Sequence, residues 1–253
     1  MSQILPKEVN VSSMNKLSAH GHSDVGFVRE NNEDSFLCRK EKGLFAVADG
    51  VGGLPFGALA SLLAMQQLDA CVVDDNACSS FEDFRKIAHN IHQNLIKAGA
   101  IVGGQNGIGT TFSAIRLIND KFIFAHVGDS VILHFDHSSK SLSQVTQSHT
   151  LEAELLAKHG PDAAADMPEH YAHTLTRCMG QEIDFDVDLG QIDASPGDSL
   201  ILCSDGLTNM VDCEDITELC SKLGVEELVH QLIDSANQNG GVDNSTVVCV
   251  RLN

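Results

Sequence analysis

The chain has 253 residues, with 16 basic side chains against 35 acidic ones, a formal charge of −19, and 43% hydrophobic residues. That balance suits a soluble globular protein with a sizeable core and excludes binding to nucleic acid or to an anionic membrane surface, both of which demand basic patches. No apolar run approaches the ~18 residues needed to span a bilayer.

Residues 1–16 lack the basic start and apolar stretch of a secretory signal. They read as a flexible N-terminal tail on a cytoplasmic protein. With no Pro- or Ser-rich linker further on, residues 17–253 are expected to form a single domain. Short β-branched or aliphatic runs bounded by turn formers predict strands at 44–48, 110–118, 122–127, 131–135, 200–203 and 246–252. Apolar residues at helical spacing predict helices over 58–73 and 81–98, the second marked by Phe84, Ile87, Ile91 and Leu95. Ser79 and Glu82 form its capping box, and another helix is expected at 226–236. Residues 147–176 are polar, rich in Ala and His and weakly patterned, and read as a mobile flap beside a site.

Strands that cluster between helical pairs, instead of alternating strictly with helices, favour an α+β fold of antiparallel sheet with helices packed outside. With no Trp and only Tyr171 among the bulky polar aromatics, aliphatic side chains must fill the core. The eight cysteines form no CxxC pair and mostly lie inside apolar runs, as reduced core cysteines do.

Four acidic turns carry the chemistry: Asp49 and Gly50 in FAVADGVGG, Gly128 to Ser130 in GDS, Cys203 to Gly206 in CSDG, and Gly240 to Thr246 in GGVDNST. Each adjoins an apolar run, which places single aspartates at the ends of buried strands, where glycine lets the backbone turn tightly. One Asp-Gly alone is a common hairpin turn. Four of them, joined by Glu33 and Asp34, gather carboxylates that need cations. Carboxylate and carbonyl oxygens are hard ligands, suited to Mg²⁺ or Mn²⁺. Two such ions about 3.5 to 4 Å apart can share a bridging water, lower its pKa and clamp the oxygens of a phosphoester. Arg29, four residues before Glu33, offers the planar fork that grips phosphate. Taken alone, Arg29 reads as the surface ion-pair partner of Glu30 or Glu33.

The ordered series VGFVRENNEDSF, FAVADGVGG, GTTFSAI, AHVGDS, LTRCMG, GDSLILCSDGL and GGVDNSTVV resembles the metal-dependent type 2C protein serine/threonine phosphatases, in particular their compact bacterial form. The resemblance runs from about residue 17 to 252. It implies an α-β-β-α sandwich, two central antiparallel sheets flanked by helix pairs, with a binuclear Mn²⁺ or Mg²⁺ centre at one end. It further implies that Asp49 bridges both metals and that Gly50 lends a backbone carbonyl. Asp205 and Asp243 are then ligands of the second metal, and Glu33 with Asp34 supports metal-bound water. Arg29 binds phosphate, and Asp129 belongs to a weaker third metal site. Asn244 orients the Asp243 turn, while Thr110, Thr111, Thr176 and Arg177 serve structure or anchor the flap.

The implied function is hydrolysis of phosphoserine and phosphothreonine in proteins by a metal-activated water, by a monomer whose counterpart is a bacterial Ser/Thr kinase. Two rivals stand beside it: a catalytically weak phosphoprotein-binding pseudophosphatase, and a metal-dependent hydrolase of small phosphoesters. Val51 stands where many eukaryotic members carry histidine as general acid, which leaves leaving-group protonation to water. Val131 stands where the family often has arginine. The histidines at 149, 159, 170 and 173, with His20 and His22, fit no standard zinc spacing, so no zinc site is expected from them.

Overall fold

The computed structural model describes residues 16–72, 77–161, 163, 167–182 and 185–253. The reading of residues 1–15 as a tail therefore lies outside the described residues. Among the described residues ten strands form two five-stranded sheets. In the first, β1 (Leu17–Asp24), β10 (Ser245–Leu252), β9 (Ser199–Cys203), β6 (Val131–Asp136) and β7 (Ser141–Gln144) are neighbours in that order. In the second the order is β2 (Asp34–Arg39), β3 (Leu44–Asp49), β4 (Phe112–Ile118), β5 (Lys121–Val127) and β8 (Asp188–Ile192). Every pairing among these strands is antiparallel, as the clustered strand pattern implied.

Alternation along the central strands builds three layers of core. Phe45 and Val47 of β3, Leu200 and Leu202 of β9, and Val248 and Val250 of β10 meet between the sheets. Their neighbours turn outward. Leu44, Ala46 and Ala48 pack under α1 (Gly57–Cys71) and α2 (Phe81–Val102), against Ala60, Ala64, Leu68, Phe84 and Ile91. Ile201, Cys203, Val247 and Cys249 pack under α5 (Cys213–Lys222) and α6 (Val225–Gln238), against Leu228, Val229, Leu232 and Ile233. Strands buried on both faces read as continuous apolar runs, which is why these were legible. Each buried Leu or Phe stabilises the sandwich by roughly 1.5–3 kcal/mol.

One local expectation needs correction. The cap of α2 is Ser80, whose Oγ accepts from the Asp83 N–H at 3.2 Å, while the Asp83 carboxylate accepts from the Ser79 N–H. The box is thus shifted one residue from Ser79 and Glu82, because aspartate's shorter reach closes the same turn. The 147–176 segment also has more order than its weak patterning suggested. It holds α3 (Leu151–His159), capped by Thr150, and a 3₁₀ turn over Glu169–His173. Its base is closed by the Leu151 N–H to Thr174 carbonyl and Thr176 N–H to His149 carbonyl bonds, at 2.9 Å each. No residue of α3 is fully buried, so the apolar periodicity that marks a core helix is absent.

Candidate metal centre

The sheets deliver the acidic turns to one end of the sandwich. Register pairs Asp34 of β2 with Asp49 of β3. Asp129 lies in the turn between β5 and β6, Asp205 opens the short helix α4 (Asp205–Thr208) after β9, and Asp243 precedes β10. Val131 and Val247 both pair with Cys203, so these three turns leave the first sheet at the same end of its strands. Together with Arg29, Glu33 and Gly50, four of these aspartates line a cleft of about 700 Å³; Asp34 sits behind them.

Hydroxyl and amide side chains fix that end of the fold. Thr111 Oγ1 accepts from the Asp49 N–H at 2.9 Å and bonds Ser130 Oγ at 2.7 Å, while Thr110 Oγ1 donates to the Asp49 carbonyl at 2.8 Å. The two threonines therefore brace Asp49. Asn244 does more than orient its own turn. Its Oδ1 accepts from the Glu33 N–H at 2.8 Å and its Nδ2 donates to the Val25 and Asn31 carbonyls, joining the 240–244 turn to the loop that carries Arg29. His149, read as part of a flap, is instead a core histidine. Its Nδ1 accepts from the Gly128 N–H at 3.0 Å and its Nε2 meets Asp188 Oδ2 at 3.1 Å, so it supports the turn bearing Asp129.

Glycine is required at position 50 by close approach. A Cβ there would meet the Gly57 carbonyl carbon and oxygen at 2.4 and 2.5 Å, and both belong to the backbone of α1. Gly50→Ala is expected to force the end of β3 away from α1, lowering stability by about 1–3 kcal/mol. Phosphatase activity should fall by more than the fraction unfolded explains, because Asp49 moves with its neighbour; thermal unfolding and a rate assay on the folded fraction check this.

Burial and mutual repulsion disfavour the ionised form of the clustered carboxylates. Burial, followed by the charges of Asp34, Asp205, Asp129 and Asp243, pushes the Asp49 carboxyl well above the usual range. Burial likewise carries Asp34 and Asp129 up to about 7, with Asp205 adding to both. Asp205 is raised by burial and then by Asp243. Asp34 Oδ2 accepts from Ser204 Oγ at 2.8 Å, yet its buried Oδ1 has no partner. Such a set of crowded hard oxygens, one of them unsatisfied, fits divalent cations.

Arg29 is not held by Glu30 or Glu33. Its guanidinium donates to Asp243 Oδ2 at 2.7 Å, an exposed pair across the mouth of the cleft. The Glu33 carboxylate packs against Gly57 at the start of α1, where Phe56 provides no side-chain cap and the helix dipole favours negative charge. Sequence reading missed Asn209 and the placement of His173. Asn209 Nδ2 donates to Asp205 Oδ2 at 3.2 Å, and His173 Nδ1 lies 3.8 Å from the same oxygen. The signal for Asn209 is its position four residues beyond Asp205, one helical turn on. His173 reaches the cleft by a fold-back that spacing does not reveal.

Carboxylates that suit divalent cations, facing an arginine across an open cleft, are equipped to cleave phosphoesters. Comparison narrows that class. The profile of the family described as Protein phosphatase 2C matches residues 27–245, and the chain belongs to this family. It is similar to the protein phosphatase PhpP of Streptococcus pneumoniae, 33% identical over 242 residues that cover 91% of this chain and 96% of that one. A serine/threonine phosphatase, stp, of Listeria welshimeri is 33% identical over 248 residues, covering 94% and 96%. Among solved structures, the Mycobacterium tuberculosis serine/threonine phosphatase PstP/Ppp superposes with a TM-score of 0.82 at 30% identity, covering 93% of this chain and 98% of that one. The catalytic domain of PstP in complex with two manganese ions gives 0.80 at 30% identity, covering 93% and 97%. The fold expected from the motifs is thus the fold of the family, and the chain is an enzyme of the protein serine/threonine phosphatase class.

Proposed function

We propose that this chain removes phosphate from phosphoserine and phosphothreonine in proteins, using a water activated at a binuclear Mn²⁺ or Mg²⁺ centre. The observation that carries the reading is the convergence of Asp49, Asp129, Asp205 and Asp243 on one cleft, with Asp34 behind them, where burial and mutual repulsion disfavour ionised carboxylates unless cations offset the charge. The manganese-bound relative supports the choice of ion. In this reading Asp49 would hold both metals and the Gly50 carbonyl one of them, Asp205 and Asp243 would complete the second site, and Asp129 with Asp205 would form a weaker third one. When bound, the ions supply positive charge to the phosphoryl oxygens and lower the pKa of the attacking water.

The chain's own groups do the rest. Arg29 offers its guanidinium fork to the phosphate from the rim. Glu33, which lines the cleft, would hold and orient the attacking water, with Asp34 in support behind it. Val51, whose N–H is tied to the Gly109 carbonyl at 3.0 Å, puts no acid at its own position, so the leaving alkoxide would take its proton from solvent or from the His173 imidazole that lines the cleft. We further infer that residues 17–253 act as one catalytic domain, working as a monomer in the cytoplasm on phosphorylated proteins, opposite a bacterial Ser/Thr kinase. Free thiols, five of them buried, suit that compartment.

The test is phosphate release from a phosphothreonine peptide by purified protein, with Mn²⁺, with Mg²⁺ and with excess chelator, beside a nucleotide substrate. Release from the peptide that needs metal and exceeds release from the nucleotide supports the proposal. Equal or faster hydrolysis of the nucleotide selects the small-phosphoester hydrolase, and binding without release from folded protein selects the pseudophosphatase.

A further inference from the structure

Away from the cleft, on the outer side of the first sheet, three side chains distant in sequence meet. His20 of β1 and Glu226 and His230 of α6 each present a ligand atom, and the three atoms lie within 4.8 Å of one another. His22 lies beside the group. Its ring centroid is 4.9 Å from that of His230, while His20 is 5.1 Å from the same ring.

The backbone explains why they meet. In β1 the side chains at 20 and 22 share a face, and Gly21 between them points the other way, where an added Cβ would strike the Phe36 ring between the sheets. His20 and His22 pair across the ladder with Cys249 and Val247, both of which face the helices. In α6, Glu226 and His230 are four residues apart and therefore neighbours on one helix face. That face is exposed, beside the buried stripe of Leu228, Val229, Leu232 and Ile233. A strand pair at i and i+2 thus confronts a helix pair at i and i+4.

We propose that His20, His22, Glu226 and His230 form a second kind of metal site, one for zinc. Imidazole nitrogens with a single carboxylate are borderline-soft donors suited to zinc, unlike the all-oxygen set of the cleft. Tetrahedral bonds of roughly 2.0–2.2 Å put ligand atoms about 3.3 Å apart, so closure of His20, Glu226 and His230 from 4.8 Å calls for rotamer adjustments chiefly by the two exposed helix side chains toward the half-buried strand histidines. Spacing in the sequence hid the site because it pairs residues 20 and 22 with residues 226 and 230, outside any local motif.

Zinc there would clamp α6 to β1. Each element runs directly into half of the cleft rim: β1 leads into the loop holding Arg29, and α6 leads into the turn holding Asp243. The two already touch through the Asn237 Nδ2 to Asp24 Oδ1 bond at 3.1 Å and the Phe27 N–H to Gly241 carbonyl bond at 2.7 Å. The clamp therefore braces the Arg29 and Asp243 sides of the rim against each other.

The experiment is equilibrium dialysis of the full chain against Zn²⁺ in excess Mg²⁺, comparing wild type with His20→Asn/His230→Asn and, separately, with Glu226→Gln/His230→Gln. The second double variant alters only exposed helix positions, so it keeps the test valid if the first folds poorly. Wild type should retain one zinc ion more per chain than either variant, and zinc should raise its thermal midpoint by more. Equal zinc uptake by wild type and the folded variants would overturn the proposal, whatever the cleft does with its own ions.

Discussion

Asp49→Asn is expected to abolish phosphate release without weakening the metal-free fold. Asp49 sits at the centre of the carboxylate cluster, and its carboxyl is raised by burial and by four neighbouring aspartates. Asparagine keeps the shape and removes the charge, so it relieves repulsion in the absence of metal while deleting the ligand proposed to serve both ions. Loss of about 4 kcal/mol of charge stabilisation in the transition state, at 1.36 kcal/mol per decade, lowers the rate by ~10³-fold. Asp205→Asn should behave similarly, because Asp205 is raised by burial and by Asp243. Two measurements check this: the metal-dependent rate on a phosphothreonine peptide, and thermal unfolding in chelator. The expected pair of results is a rate near background with a midpoint equal to or above that of wild type. Retained activity in both variants would remove Asp49 and Asp205 from the centre, and a midpoint several degrees lower would show that the aspartates hold the fold together.

What could be read in advance follows from burial. Strands β3, β4, β9 and β10 are buried on both faces and produce apolar runs with turn residues at their ends, so they and the aspartates they deliver were legible. β1 was not, because its outward face carries His20 and His22 and its inward face carries Gly21, which leaves little apolar signal. β2, β7 and β8 each hold at most one buried residue. α5 buries only Ile216 and Cys220, too few to mark a periodicity. The same distinction holds at the site. Asp49, Asp129, Asp205 and Asp243 stand beside strand ends, where local sequence determines position. His149, Asn209 and His173 are placed by long-range packing of the 147–176 segment and by the first turn after β9. Asn244 was recognised as a turn residue, but its bonds to Val25, Asn31 and Glu33 depend on a loop more than 200 residues away.

Arg29→Ala separates the two roles open to an exposed arginine. As a phosphate grip, Arg29 contributes charge-assisted donors to an anion in the cleft, and their loss should lower kcat/KM for a phosphopeptide by about 10²-fold, chiefly through KM. As a surface ion pair with Asp243 it is worth ~0–1 kcal/mol of stability and nothing to kinetics. The pair itself adds a second signature. Asp243 Oδ2 accepts from the guanidinium at 2.7 Å, so a cation approaching Asp243 competes with that bond and with the positive charge behind it. Alanine removes both obstacles, and the concentration of Mn²⁺ giving half-maximal rate should fall even as peptide binding weakens. Arg29→Lys keeps the charge but not the planar fork, so it should recover part of the lost affinity for peptide and part of the competition against metal. Weaker peptide binding with tighter metal binding fits only an arginine that faces the phosphate while restraining Asp243. Unchanged kinetics with a slightly lower thermal midpoint would leave it a surface ion pair.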